Sequence, residues 1–148
     1  MADMPIAAGA QGSVRYFNPD GLIDDPAFTE VVEVGGPART IYIGMQHALT
    51  ASRTMVGKGD LAAQTEQVLK NVELGLAAAD AKPEHLVLLR MYVVEGQKLQ
   101  QALEVFQKWW GDRPNPPTDS VLFVTSLREP DFLIGIEAIA AVSQSGQM

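Results

Sequence analysis

Residues 133–141 alternate with a period of two, and both halves of the alternation are largely apolar. Successive strand side chains point to opposite faces, so Ile134, Ile136, Ala138 and Ala140 share one face. Leu133, Gly135, Glu137 and Ile139 share the other. A strand with one face in water keeps that face polar; this one needs cover on both sides. Residues 86–94 repeat the pattern, with Val87, Leu89, Met91 and Val93 on one face and Leu86, Leu88, Arg90 and Tyr92 on the other. Two strands with no watery face restrict the possible folds more than anything else in the chain.

Helical spacing fills the intervals between strands. Asp60 follows Gly59 as a helix N-cap, and Leu61, Val68, Leu69, Val72 and Leu76 repeat at helical spacing before Pro83. Leu99, Leu103, Phe106 and Trp110 mark a second helix, ended by Gly111 and Pro114. Residues 14–17 read as a short strand closed by the turn Asn18-Pro19-Asp20-Gly21. Residues 31–34 and 40–46 read as strands joined into a hairpin by Gly35-Gly36-Pro37. A further strand spans 119–125. The order is β-β-β-α-β-α-β-β, and two helices cover only one face of such a sheet. The expected fold is a two-layer α+β domain over 14–142, with a flexible lead at 1–13 and a polar tail at 143–148. The helix-free face is too apolar for water, so the sequence predicts self-association.

The chain's 148 residues suit one domain. Eleven Lys and Arg against eighteen Asp and Glu give a net charge of −7, which offers phosphate backbones no long-range attraction and speaks against general nucleic-acid binding. No cysteine is present, which excludes disulfides, thiolate catalysis and cysteine-ligated zinc. That composition fits a reducing cytosol, and a cytoplasmic location is the expectation. Residues 1–12 lack the basic flank and apolar core of a signal peptide, and no apolar run reaches membrane-spanning length. Two histidines without helical spacing offer no metal site, and no cofactor is expected. Gly57-Lys58-Gly59-Asp60 precedes a helix but lacks the P-loop spacing, so it reads as a turn plus cap.

Several segments, in order, resemble the Rid (YjgF-like) family. Pro116-Pro117-Thr118-Asp119-Ser120-Val121, residues 127–130 and Ile134-Gly135-Ile136-Glu137-Ala138-Ile139-Ala140 resemble its C-terminal hairpin. Arg15-Tyr16-Phe17-Asn18-Pro19-Asp20-Gly21-Leu22 resembles the opening of one branch. Ile41-Tyr42-Ile43-Gly44-Met45-Gln46 resembles the third strand, and Gly57 to Asp60 with Gln64 to Asn71 the lead into the first helix. The resemblance implies a chorismate-mutase-like (YjgF-type) homotrimer, three sheets facing inward as a barrel, and small-molecule clefts between subunits. Many family members hydrolyse reactive enamines and imines.

In the family's deaminases an arginine grips the substrate carboxylate and a glutamate positions the attacking water. Carried over by position, the arginine becomes Asp119 and the glutamate Gly135. The hydroxyl position near the third strand becomes Gly44, and the backbone donor position becomes Val121. Tyr16 is placed to keep the tyrosine role, and Gln46 closes the third-strand segment. Aspartate in place of arginine repels a carboxylate at about 4 Å by about 1 kcal/mol in water and about 4 kcal/mol at an effective dielectric near 20. The usual 2-imino-acid deamination is therefore in doubt, and the glycine at 135 is expected to open space for a bulkier ligand.

The remaining polar groups each carry two readings. Asp119 is a general base or an amine clamp, or else a strand-end cap. Glu137 takes over acid/base work, or else pairs with Arg90 or a backbone N–H at an interface. Arg90 supplies a substitute anion clamp, or else an interface ion pair. His47 is a base near a cleft, or else simply hydrogen-bonded. Two functions follow. One is a hydrolase or deaminase-type enzyme on a small reactive metabolite, with Asp119, Glu137 and Tyr16 as catalytic residues. Its ligand contacts would be Arg90, Gly44, Gln46, Val121, Gly135 and His47. The other is a binding or protein-interaction module on the same trimer without turnover.

Overall fold

The computed structural model describes residues 11–145. The strands are β1 (Ser13–Phe17), β2 (Val31–Gly35), β3 (Ala38–Gln46), β4 (Leu86–Val94), β5 (Thr118–Val124) and β6 (Ile134–Ser143). The helices are α1 (Leu61–Ala78) and α2 (Leu99–Trp110), and a single 3-10 turn at Pro83–His85 leads into β4. The order is the β-β-β-α-β-α-β-β read from the sequence. The main sheet has the order β3-β6-β4-β5. β6 runs antiparallel to both β3 and β4, whereas β4 and β5 are parallel and are connected through α2.

α1 begins where Asp60 adopts extended geometry and accepts from the Ala63 N–H at 3.0 Å, satisfying a donor that the first helical turn cannot. Leu61, Val68, Leu69, Val72 and Leu76 are buried against Ile43, Leu89, Met91, Val93, Ile134, Ile136, Ala138 and Ala140. Each such leucine or isoleucine contributes about 1.5–3 kcal/mol when fully buried. α2 adds Ala102 and Trp110 to this core and ends at Gly111, whose φ of 63° suits glycine. Among the described residues no helix is long and apolar enough to cross a membrane.

Three sequence expectations change in the structure. β2 pairs with β1 and not with β3, so the expected 31–46 hairpin is two strands in different sheets. The left-handed turn at Gly36 (φ 69°) carries the chain from one sheet to the other, and β3 takes β6 as its partner. Leu86 belongs to the core and not to the open face. The β4–β6 register shifts between Leu86 and Leu88, and this bulge turns Leu86 toward the helices, fully buried. Of the expected lead, residues 1–10 lie outside the described residues, while Gln11 bridges to Ser145 and Ser13 begins β1. β6 extends through Ser143, and the last three residues of the expected tail lie outside the described residues.

Candidate functional site

The open face of the sheet carries the first candidate cluster. Register places Arg90 opposite Glu137, Tyr92 opposite Gly135, and Tyr42 opposite Ile139. Arg90 Nη1 donates to Glu137 Oε1 at 2.5 Å, and the Tyr92 hydroxyl donates to the same oxygen at 2.7 Å. These two bonds, Arg90 first, hold the Glu137 carboxyl below the usual carboxylate range. Tyr42 (76% exposed) and Leu122 (41%) flank the cluster, and a shallow hollow of about 260 Å³ runs between Tyr42, Gly44, Arg90 and Glu137. Gly44 has open space where a side chain would stand, and the Gln46 amide folds back to donate to the Gly44 carbonyl at 3.0 Å.

Asp119 and Val121 are placed elsewhere. They pair with Leu89 and Met91, the helix-facing residues of β4. Asp119 therefore lines a slot at the sheet edge with Ala27, Leu103 and Phe106, on the side opposite Glu137. Partial burial raises its carboxyl pKa, and the nearby charges of Glu30 and Asp25 raise it further. Tyr16 donates its hydroxyl to the Leu86 carbonyl at 2.8 Å, and burial pushes its pKa up to about 12. One protomer thus groups Glu137, Arg90 and Gly44, and sets Asp119, Val121 and Tyr16 apart from them.

Gly135 corrects the expectation of open space. It is buried, and a Cβ built on it would lie 2.7 Å from Met45 Sδ and 3.1 Å from His47 Nε2. A break in the β3–β6 register between Ile43 and Gln46 lies beside this contact. The room that a glutamate would need is filled by the chain's own side chains.

The second candidate region is a cleft of about 520 Å³ between the loop after β3 and the loop before β6. His47 forms one wall, stacked on Phe132 with centroids 4.4 Å apart and planes 13° from parallel. Its Nε2 is buried and has no hydrogen-bond partner. Burial, and then the Arg128 charge, hold its pKa below the ordinary histidine value, so the ring is neutral at neutral pH. Arg53 sits at φ 64°, an uncommon backbone for a non-glycine residue. The turn around it is tied by the hydroxyls of Thr50, Ser52 and Thr54 at 3.0–3.2 Å. Among the described residues neither Arg53 nor Arg128 pairs with a carboxylate, whereas Lys58 engages Asp131 at 3.7 Å.

Both loops are fixed from α1. Asn71 donates to the carbonyls of His47 and Leu49 at 3.1 and 2.9 Å. The fully buried Gln64 donates to Gly57 and Asp131 carbonyls at 3.1 and 2.9 Å and accepts from the Leu133 N–H at 2.8 Å. Sequence reasoning missed Gln64, Arg53, Arg128 and Phe132. Gln64 alone left a signal, a polar residue on the apolar stripe between Leu61 and Val68.

The geometry defines a two-layer α+β protein with an uncovered sheet face and a polar cleft at its loop end. The sequence profile of the endoribonuclease L-PSP family matches residues 24–142. The Rid-family protein YyfB of Yersinia pestis, itself of unknown function, is 35% identical over 87% of this chain and 98% of its own, with a TM-score of 0.77. The YjgF gene product of Escherichia coli is 25% identical over 68% of this chain and 79% of its own, with a TM-score of 0.62. A member of the same conserved family from Mycobacterium tuberculosis is 26% identical over 88% of this chain and all of its own, with a TM-score of 0.56. No curated protein matches the sequence. The chain belongs to the Rid (YjgF-like) family.

Proposed function

We propose that this protein is a self-associating Rid-family binder of a small metabolite, with ligand clefts at subunit boundaries and without hydrolysis of 2-imino acids. The observation that carries this reading is Gly135, where the family glutamate is missing and its space is taken by Met45 and His47. Glu137, the nearest carboxylate on that strand face, has its Oε1 committed to Arg90 and Tyr92 and is poorly placed to move a proton. Subunit boundaries are supported by position. Asp119 and Gly135 lie three residues and two strands apart in register, about 10 Å in each direction, and face opposite sides of the sheet. A ligand touching both positions needs a second chain. The exposed Tyr42 and Leu122 around the open face support burial of that face in an oligomer, and the family resemblance makes the oligomer a trimer.

One observation favours a second reading, a hydrolase. Asp119 keeps a raised carboxyl pKa beside a slot, as a general base requires. The family's endoribonuclease description gains no support from a net charge of −7. Wild type, Asp119→Ala and Glu137→Gln are to be assayed on imines, amides and esters beside an active family member. No turnover by wild type is expected; turnover abolished by Asp119→Ala establishes the hydrolase. Sedimentation should give a trimer that Tyr42→Asp dissociates, and a monomeric wild type would end the boundary-cleft reading.

A further inference from the structure

We propose that the loop-end cleft binds a small monocarboxylate with an apolar body, its carboxylate taken by Arg53 and Arg128 and its body seated against Phe132, Met55 and the His47 ring. This rests on the small-molecule binding proposed above but adds a cleft within one chain to the boundary clefts, so it does not depend on the enzyme question or on the number of subunits.

Volume and lining set the class. A cleft of about 520 Å³ falls within the roughly 300–1,000 Å³ typical of small-molecule sites. Two arginines, Arg53 and Arg128, line it without a carboxylate partner among the described residues. Guanidinium forks match carboxylates through paired N–H donors. Of the acidic residues on the rim, Asp131 is engaged by Lys58, which leaves Glu129 facing the cavity. That one negative charge disfavours dianions and selects a single carboxylate. The stacked Phe132 and His47 rings, with Leu49 and Met55, supply an apolar wall.

The site is also built before a ligand arrives. Arg53 is held in a sparsely populated backbone conformation by the hydroxyl-tied turn, and such conformations persist where surrounding structure enforces them. Asn71 fixes the His47 carbonyl, and Gln64 fixes the Asp131–Leu133 backbone. Holding both loops in place lowers the ordering cost of binding.

The test is calorimetric titration of the full-length protein, in its native assembly, with 3-phenylpropionate, its neutral amide 3-phenylpropanamide, and inorganic phosphate. The acid is expected to bind at least tenfold tighter than the amide or phosphate. Arg53→Gln and Arg128→Gln are each expected to weaken the acid by about tenfold, or about 1.4 kcal/mol. Arg15→Gln, a surface control, should leave it unchanged. Equal binding of acid and amide, equal binding of phosphate, unaltered affinity in both arginine variants, or no binding by wild type would each overturn the proposal. If the arginine variants misfold, proton NMR of wild type decides. The acid should move the His47 ring signals and leave His85 in place; the reverse overturns it. Metabolites that bind without moving His47 would sink this assignment and leave the broader binding reading standing.

Discussion

On the open sheet face, Arg90 and Tyr92 both spend their donors on Glu137. At the loop end, Arg53 and Arg128 lie beside a neutral histidine and a cavity, with no carboxylate partner among the described residues. The same side-chain chemistry is self-satisfied in one place and unspent in the other. A self-satisfied cluster amid exposed apolar side chains suits burial against another copy of the chain, where unpaired charge would be costly. An unspent one suits a ligand that supplies the missing charge. Gly135 lies where the two regions meet, with the Tyr92 register on one side and the His47 ring on the other.

Substitutions can separate the regions or merge them. The largest expected effect is from Gln64→Leu, which strands the Asp131 carbonyl and the Leu133 N–H beneath the cleft, while the Gly57 carbonyl keeps the Asp60 N–H. At about 1–3 kcal/mol for each stranded group, urea unfolding should show a loss of about 2–6 kcal/mol, with the open-face pairing intact. Gly135→Glu comes next. It forces Met45 and His47 aside and should cost about 2–3 kcal/mol, and with Asp119→Arg it should give no imine hydrolysis. A stable double variant with activity would erase the distinction between the two regions. Glu137→Gln should act on assembly, shifting the sedimentation profile toward monomer without altering ligand affinity at the loop end. Acidification mimics it. The folded pKa of Glu137 is depressed, so its contribution is present above the unfolded carboxylate value and lost as pH falls through the folded one.

The smallest expected effect belongs to His47. Its folded pKa is also depressed, so the stability of the neutral ring is complete above the unfolded histidine value of about 6.5. That stability is lost as pH falls through the folded value. His47→Phe keeps a ring on Phe132 and removes the titration, so the urea midpoint should flatten across that window. An unchanged pH profile would mean that neither burial nor the Arg128 charge disfavours the protonated ring.

Strand and helix positions were legible because period and caps are local. Asp60, Gly111 and the alternation in β6 each state their role within a few residues. The β2–β3 hairpin was misread because Gly35-Gly36-Pro37 specifies a reversal but not which strand receives it. Leu86 was misplaced because a bulge shifts the alternation without leaving a residue that announces it. The Arg90–Glu137 pair was one of the two readings the sequence offered, since both residues lie on strands of fixed register. The loop cleft was not legible. Arg53 and Arg128 are brought together only by the fold, and the hydrogen bonds that hold their loops come from α1.

The last strand in the chain is an inner strand of the sheet. β3 and β4 touch only through β6, and the outermost register pair joins Ala38 to Ser143. During synthesis both neighbours therefore wait with unpaired backbone until the final strand emerges, and the sheet closes in one late, long-range step. Folding speed is then governed by how fast β6 finds the gap. A chain cut before Ile134 would keep both helices but present two bare strand edges to other molecules.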